Sequence, residues 1–485
     1  MPEAEDKQFV KEICSRELDF SQWYIDVVRK AELADYAPVR GCMVIRPYGY
    51  ALWEALQRDL DARIKAAGHE NAYFPLLIPE SFLAKEAAHT EGFTPQVAWV
   101  THGGEEELEE RLAIRPTSEA IICHMYAKWI RSWRDLPVMI NQWANVLRWE
   151  KVTRLFLRTT EFLWQEGHTA HRTQQEAEEE ALRMLGVYAD FCRETLAIPV
   201  YAGPKTENEK FPGAVTTYTV EALMPDGRAL QAGTSHNLGQ HFARVFDITF
   251  LDEENQLRYV WQTSWGVTTR LIGALIMVHG DDAGLKLPPR LAPVQVVIVP
   301  ITFGGSKDDV LTHARTLRDE IAATGIRVRL DDRDEYTPGW KFNEHELRGV
   351  PLRLELGPKD IARDVATAVR RDNRAKVQVP LSNIAAWCRD ELASIQADML
   401  AAATAYRDAH TRVVTTADEF FLLFEGRPGF IKAPWCGDGE CERRIAEKTG
   451  ATIRLLPRPA EPVAEGGCVD CGRKATTWAY FAKSY

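Results

Sequence analysis

The stretch RWEKVTRLFLRTTEFLWQEGHTAH, residues 148–171, decides how the rest of the chain is read. It interleaves arginines, glutamates and histidines with Trp149, Phe156, Phe162 and Trp164. A plain core strand would not carry the charges, and a solvated surface would not need the rings. In an extended strand alternate side chains share a face, so Arg148 and Glu150 point one way, and so do Arg158 and Thr160. A short loop, KVTRLF, would set Arg148 beside Arg158. Arginine's planar fork suits phosphate or carboxylate, and a facing glutamate suits an amine or an adenine amino group. A salt-bridged outer sheet face would carry the same charges.

Length and composition bound the answer. A chain of 485 residues is long enough for about three domains of roughly 150 residues each. Hydrophobic residues make up 45% of it, so a sizeable core is available. The formal net charge of −11 argues against a general polyanion binder and leaves room for a local basic surface. The start, MPEAEDKQFVKEICSRELDF, is acidic and has no apolar signal core, and no stretch reaches a membrane-spanning length. Of nine cysteines, Cys14, Cys42, Cys123, Cys192 and Cys388 are scattered singles. That usage fits reduced thiols in a cytoplasmic protein better than a disulfide frame.

No internal repeat or low-complexity segment interrupts the chain. The spacing of apolar residues predicts a helix over 50–68, stopped by a glycine, and a long helix after His171. The runs 71–79, 137–150, 215–223, 246–252 and 258–266 read as strands. Together they predict an α+β domain, an antiparallel sheet with helices packed on it, over residues 1–285. The segment KLPPRLAPVQ, residues 286–295, marks a linker. After it, strands and helices alternate as in a compact α/β unit with a largely parallel sheet, assigned to 286–404. The third domain, 405–485, is rich in charge and ends in a cysteine cluster.

That cluster is Cys436, Cys441, Cys468 and Cys471. Two close thiol pairs can complete a tetrahedral zinc shell, and no fifth ligand is evident, so a structural Zn2+ is expected. Its loss should unfold the tail locally. Two pairs of reactive or buried thiols are the alternative.

Three other clusters shift the balance toward a ligand cleft. RPTSEA places Thr117, Ser118 and Glu119 ahead of a helix. Either hydroxyl could cap that helix, but a cap leaves Glu119 unused, and a carboxylate in a cleft captures a substrate ammonium. LQAGTSHNLGQ, residues 230–240, reads as a polar turn around His236, which could also be a satisfied core histidine. Arg270 stands at the start of an apolar helix, a costly place unless it faces a ligand or an acid.

These segments resemble motifs 2 and 3 of the class II aminoacyl-tRNA synthetases. With KTENEKFPGA, TSWGVTTR, LAPVQVVIVPI, ELGPKD and the cysteine tail, the whole chain is similar to the prolyl-tRNA synthetases of the archaeal/eukaryotic-like type. GHENAYFP resembles motif 1, which in that family shapes a dimer interface. The resemblance implies formation of prolyl-adenylate from L-proline and ATP with Mg2+, then transfer of proline to the 3′ end of tRNA(Pro). It implies Thr117, Glu119, Arg148 and His236 for proline, with Glu119 on the imino nitrogen. It implies Arg148, Glu150, Arg158, Thr159, Gln231, Thr234, Thr268 and Arg270 for ATP, with Arg148 at the α-phosphate and proline carboxylate, Arg270 on the γ-phosphate, Glu150 on the adenine amino group and Gln231 near Mg2+. Trp164 and Phe211 are pocket walls or core residues. In the α/β unit it implies Glu346, Arg353 and Lys359 for the anticodon, where arginine and lysine suit guanine edges. Glu346 and Arg353 could equally form a surface ion pair. It also implies an ordered Tyr485 near the catalytic domain and a homodimer. No DNA or membrane partner is expected.

The segment between Thr159 and Gln231 is too short for the editing domain that bacterial-type relatives insert. A few methylenes discriminate by only about 1–3 kcal/mol, so measurable activation of alanine is expected. Three rival readings differ in what they predict. A threonyl or histidyl enzyme would share the fold, but the Cys and two His of a threonyl catalytic zinc site are not found. A non-catalytic RNA-binding relative would have broken ATP-contacting positions. A zinc-dependent RNA-holding module leaves the clusters around Arg148 and Arg270 unexplained.

Overall fold

A computed structural model describes residues 13–87, 96–302, 304–461, 463 and 466–485. Residues 1–12 of the acidic start lie outside the described residues. The first domain is built on a seven-stranded sheet. Its strands are β1 (Glu70–Asn71), β2 (Val138–Leu147), β3 (Glu161–His171), β4 (Val200–Pro204), β5 (Thr216–Leu223), β6 (Ala229–Gly239) and β7 (Trp261–Thr268). They lie in the order β1-β2-β3-β7-β6-β5-β4. Every pair is antiparallel except the short β1, which runs parallel to β2. The run at 246–252 is not part of this sheet: Thr249–Leu251 forms a separate hairpin with Leu257–Tyr259.

Helices α1 (Phe20–Lys30), α2 (Pro47–Ala66), α3 (Glu119–Trp129), α4 (Gln174–Glu194) and α5 (Arg270–His279) surround the sheet. α2 begins with proline at its first turn, where the missing N–H costs nothing. Thr173 and Glu176 cap α4 reciprocally. α4 buries Ala181, Met184, Tyr188 and Phe191 against Val220, Ala232, Trp265 and Val267 of the sheet. Strand alternation then divides the sheet chemically. On β3, Gln165 points to α4, where it accepts the Tyr188 hydroxyl at 2.6 Å. Trp164, Glu166 and His168 point to the other side, where a cavity opens. Gly167 has no alternative, since a Cβ there would lie 2.1 Å from the Trp265 ring.

The second unit comprises β8 (Val296–Pro300), α6 (Lys307–Ala323), β9 (Val328–Leu330), α7 (Pro338–Leu347), β10 (Leu352–Leu356), β11 (Val365–Arg370) and β12 (Lys376–Pro380). Its sheet, ordered β9-β8-β10-β11-β12, is mixed rather than largely parallel. The first three strands are parallel, and β11 and β12 extend it antiparallel, being joined by a tight turn rather than a crossover helix. Helix α8 (Ile384–Ala409) runs without a break through residue 404. The last unit has β13 (Thr411–Val413), β14 (Phe430–Trp435), α9 (Gly439–Thr449), β15 (Thr452–Leu455) and β16 (Thr477–Ala482), with strand order β13-β14-β16-β15. Among the described residues, no helix is long and apolar enough to cross a membrane.

Candidate active site

The polar face of β3, β6 and β7 floors a cavity of about 400 Å³. Its lining includes Thr117, Glu119, Arg148, Glu150, Arg158, Thr159, Gln231, Thr234, His236, Thr268 and Arg270, together with Trp164 and Phe211. These residues come from five separate segments. Strand register brings them together: His236 faces Ser264, and Ser264 faces His168.

Several of them stand on different local structure than the sequence suggested. β2 ends at Leu147 and β3 begins at Glu161, so Arg148, Glu150, Arg158 and Thr159 lie in the connecting loop and not on strands. The loop closes on itself through Arg148 N–H to Thr160 O at 2.8 Å, and Arg158 reaches Glu150 at 2.8 Å. Conversely, Gln231, Thr234 and His236 belong to a continuous strand, not a turn. The strand tolerates polar residues because that face borders a cavity. Neither Thr117 nor Ser118 caps α3. The Thr117 hydroxyl donates to Glu119, and the Ser118 hydroxyl donates to Glu166 at 2.5 Å.

Two arginines face the cavity in the same manner. Arg148 Nε donates to Pro116 O at 3.0 Å, and Arg270 Nε donates to Leu157 O at 3.2 Å. Among the described residues, neither makes a protein hydrogen bond through its terminal nitrogens. Arg148 is exposed to the cleft yet enclosed by protein, and that enclosure lowers its pKa while Glu119, Glu166 and Glu150 oppose the shift. For Arg270, burial lowers it and the charge of Arg148 adds to the effect. Both remain cations, since the ordinary guanidinium value is far above neutrality. Two neighbouring cations with free donors form an anion site. Phe162 and Trp164 lie under Arg148, 5.7 and 5.5 Å from its guanidinium to the ring centroids.

The other end of the cavity is acidic. Glu119 is 5% exposed, beside the buried Glu166 and His168. Glu166 and His168 line the cavity as well, beyond the residues that the sequence marks out. Their signal was present in QEGHTAH: two titratable residues two apart in a strand share a face. Lys205 also lines the cavity without having been singled out. His236 is pushed down to about 3 by burial, with Lys205 and His168 acting in the same sense, so its imidazole is neutral. Its Nδ1 lies 3.0 Å from Thr217 Oγ1, which also accepts the Phe211 N–H.

In the second unit, Glu346 and Arg353 line a smaller cavity of about 170 Å³ with Arg370, Arg371 and Arg374. Glu346 and Arg353 do not pair with each other: Glu346 meets Arg374 at 3.2 Å and Arg353 meets Glu355 at 3.0 Å. Lys359 is exposed on the short helix Pro358–Ile361 and does not line that cavity.

In the third unit the sulfurs of Cys436, Cys441, Cys468 and Cys471 all lie within 4.8 Å of one another. Cys436 is 3.5 Å from Cys441 and 3.8 Å from Cys471. Four sulfurs at about 2.3 Å from one tetrahedral ion would stand about 3.8 Å apart, so the set fits a zinc ion. Arg444 Nη2 lies 2.9 Å from Cys441 Sγ and Arg473 Nε 3.3 Å from Cys471 Sγ, cations that favour thiolates.

Comparison with known proteins agrees with these three units. The profile of the family described as tRNA synthetase class II core domain (G, H, P, S and T) matches residues 99–279. Those described as anticodon binding domain and as prolyl-tRNA synthetase, C-terminal, match 295–391 and 417–485. The chain is 58% identical over 481 residues to a proline--tRNA ligase of Natranaerobius thermophilus, covering 99% of each. It is 59% identical over 476 residues to one of Rubrobacter xylanophilus, covering 98% of this chain and 99% of that one. A crystal structure of prolyl-tRNA synthetase from Cryptosporidium parvum, complexed with halofuginone and AMPPNP, superposes with a TM-score of 0.93 at 41% identity. The match covers 98% of this chain and 99% of that one.

Proposed function

Because the chain belongs to the prolyl-tRNA synthetases, class II enzymes that join L-proline to tRNA(Pro) using ATP, we propose that the cavity on β3, β6 and β7 is where prolyl-adenylate forms. Between β3 and β6, all of it described, the chain forms only α4, β4, β5 and their loops, so no editing domain is inserted there. The observation that carries the site assignment is the pair of arginines anchored by Nε to main-chain carbonyls, with free terminal nitrogens, in the cavity that holds Glu119.

In this reading Glu119, held by the Thr117 hydroxyl, accepts the proline imino N–H groups. The neutral His236 and the ring of Phe211 close the subsite, their centroids 4.9 Å apart. Arg148 bridges the proline carboxylate and the α-phosphate. The carboxylate oxygen attacks the α-phosphorus, the bond to pyrophosphate breaks, and the mixed anhydride remains. No protein nucleophile is needed; positioning and charge neutralisation lower the barrier. Arg270 binds the γ-phosphate end, Glu150 takes the adenine amino group, and Arg158, Thr159, Gln231, Thr234 and Thr268 hold the remainder of ATP. Class II synthetases use ATP with Mg2+, which neutralises phosphate charge; Gln231 is the residue we place nearest to it. In the second step the tRNA 3′-terminal hydroxyl attacks the prolyl carbonyl and AMP leaves.

We assign 1–285 to catalysis, 286–404 to the anticodon, with Glu346, Arg353 and Lys359 at the bases, and 405–485 to a structural zinc module on its four cysteines. A cytoplasmic homodimer built through GHENAYFP completes the reading. ATP–pyrophosphate exchange across the twenty amino acids, with Arg148→Ala alongside, tests it. Proline-dependent exchange that the variant abolishes is expected. Exchange driven by another amino acid, or unaffected by the variant, would overturn the assignment.

A further inference from the structure

The third unit holds the cleft from behind at two points. Arg454 of β15 reaches into the catalytic sheet and grips Glu221 of β5 through Nε at 3.2 Å and Nη2 at 3.1 Å. Glu221 is fully buried and also accepts the Thr219 hydroxyl at 2.8 Å. Lys205, whose ammonium is 3.7 Å away, is a further neighbour of this carboxylate, and Arg270 also feels its charge. Lys205 lines the cleft.

The second point is the loop that follows Lys205. The Thr206 hydroxyl donates to Glu442 at 2.8 Å, and Asn208 Nδ2 donates to Gly439 O at 3.0 Å. Both acceptors belong to the first turn of α9. Thr206 and Glu442 are 4% and 3% exposed, so this contact is shielded from water. Just before the loop, Leu456 N–H donates to Pro204 O at 2.8 Å. Gly203 is pressed so close to Leu456 O that a Cβ would lie 2.1 Å from it. Beyond the held residues the chain returns to the cleft with Phe211, against His236.

Arg454 and Glu442 do not line the cavity. We propose that the C-terminal unit is a positioning element of the amino-acid subsite: Arg454 sets Lys205 through Glu221, and Glu442 sets the Phe211 loop through Thr206. The inference rests on the assignment of that subsite to proline. A buried arginine fork on a buried carboxylate is costly to break and so holds one geometry. Lys205 then presents positive charge on the cleft wall, and Phe211 shapes it. A displacement of about 1 Å in such a wall can change rates about a hundredfold.

The test uses the full chain. Glu442→Ala removes the buried carboxylate and Thr206→Val removes its hydroxyl donor, so each releases the loop, and Glu442→Gln keeps an acceptor for Thr206. In ATP–pyrophosphate exchange the first two should raise KM for proline about tenfold, with kcat and the KM for ATP changed much less. Glu442→Gln should stay near wild type. Deuterium uptake should rise at residues 205–212 while bound metal content stays unchanged. An unmoved KM for proline, or uptake at 205–212 equal to wild type, would overturn the inference. Wild-type protein without proline-dependent exchange would instead overturn the proline assignment beneath it.

Discussion

His168 Nε2 stands 3.0 Å from Glu166 Oε2, with the two residues 4% and 3% exposed beneath the acidic end of the cleft. Burial opposes protonation of His168, but the hydrogen bond it donates to Glu166 and the charge of Glu119 outweigh it and raise its pKa above the ordinary 6.5. Burial likewise opposes ionisation of Glu166, yet His168, Ser118 and Gln142 together hold it below 4.5. His168 therefore contributes stability that is complete below pH 6.5 and lost as pH rises through its raised value. Glu166 contributes stability above pH 4.5 that is lost as pH falls through its depressed value. Both act together between those limits. Removing one member of a buried pair costs about 3–5 kcal/mol. The melting-temperature gap between wild type and Glu166→Gln should be largest near pH 5.5 and narrow toward pH 9. A gap that widens with pH would contradict this account.

Arg148→Ala should lower the rate of proline-dependent exchange by about 10²–10³-fold, the usual loss when one preorganised donor to developing charge is removed. Arg148→Lys should recover little of it, because a point charge cannot replace the planar fork between carboxylate and phosphate. Steady-state exchange kinetics decide the matter. A fully active lysine variant would mean that only charge is needed there.

Glu119→Gln should act on proline and spare ATP. Truncating one member of an enclosed charged pair costs about 2–5 kcal/mol, so KM for proline should rise at least about thirtyfold. Titrating both substrates separately reads the difference. An equal rise in both constants would place Glu119 outside the amino-acid subsite.

Chelation of the metal expected at Cys436, Cys441, Cys468 and Cys471 should make these four thiols reactive and open the C-terminal unit to protease. Thiol titration and limited proteolysis, with and without zinc added back, measure this. Thiols that are equally reactive before and after chelation would argue for free cysteines.

Alanine should support exchange above background, since a subsite that admits proline rejects the smaller side chain by only about 1–3 kcal/mol. The same assay with alanine as sole amino acid gives the answer. No signal above background would show a stricter subsite than this cavity suggests.

Much of the site was legible because its signals are local. Charge interleaved with rings at 148–171, a carboxylate unexplained by capping at Glu119, and an arginine heading an apolar helix at Arg270 each stand out within a few residues. The roles came from resemblance to a family, since no periodicity specifies an amino acid. Glu166 and His168 escaped notice because their meaning lies in a pairing that burial enforces, and burial is not local. Lys205 escaped for the same reason: it meets Glu221 of β5 only through the fold, and Glu221 is held in turn by Arg454 of the third unit.

Three units, the α+β character of the first and the four-cysteine set of the last are legible along the chain, because hydrophobic period, prolines and residue spacing are local properties. That the β2–β3 loop, and not the strands, carries Arg148, Glu150 and Arg158, and that His236 stands on a strand, emerges only from the folded molecule. It also decided which charges meet across segments, as Arg454 meets Glu221. The physical reason is that strand register and domain docking are settled by long-range burial and pairing, which no short window of sequence contains.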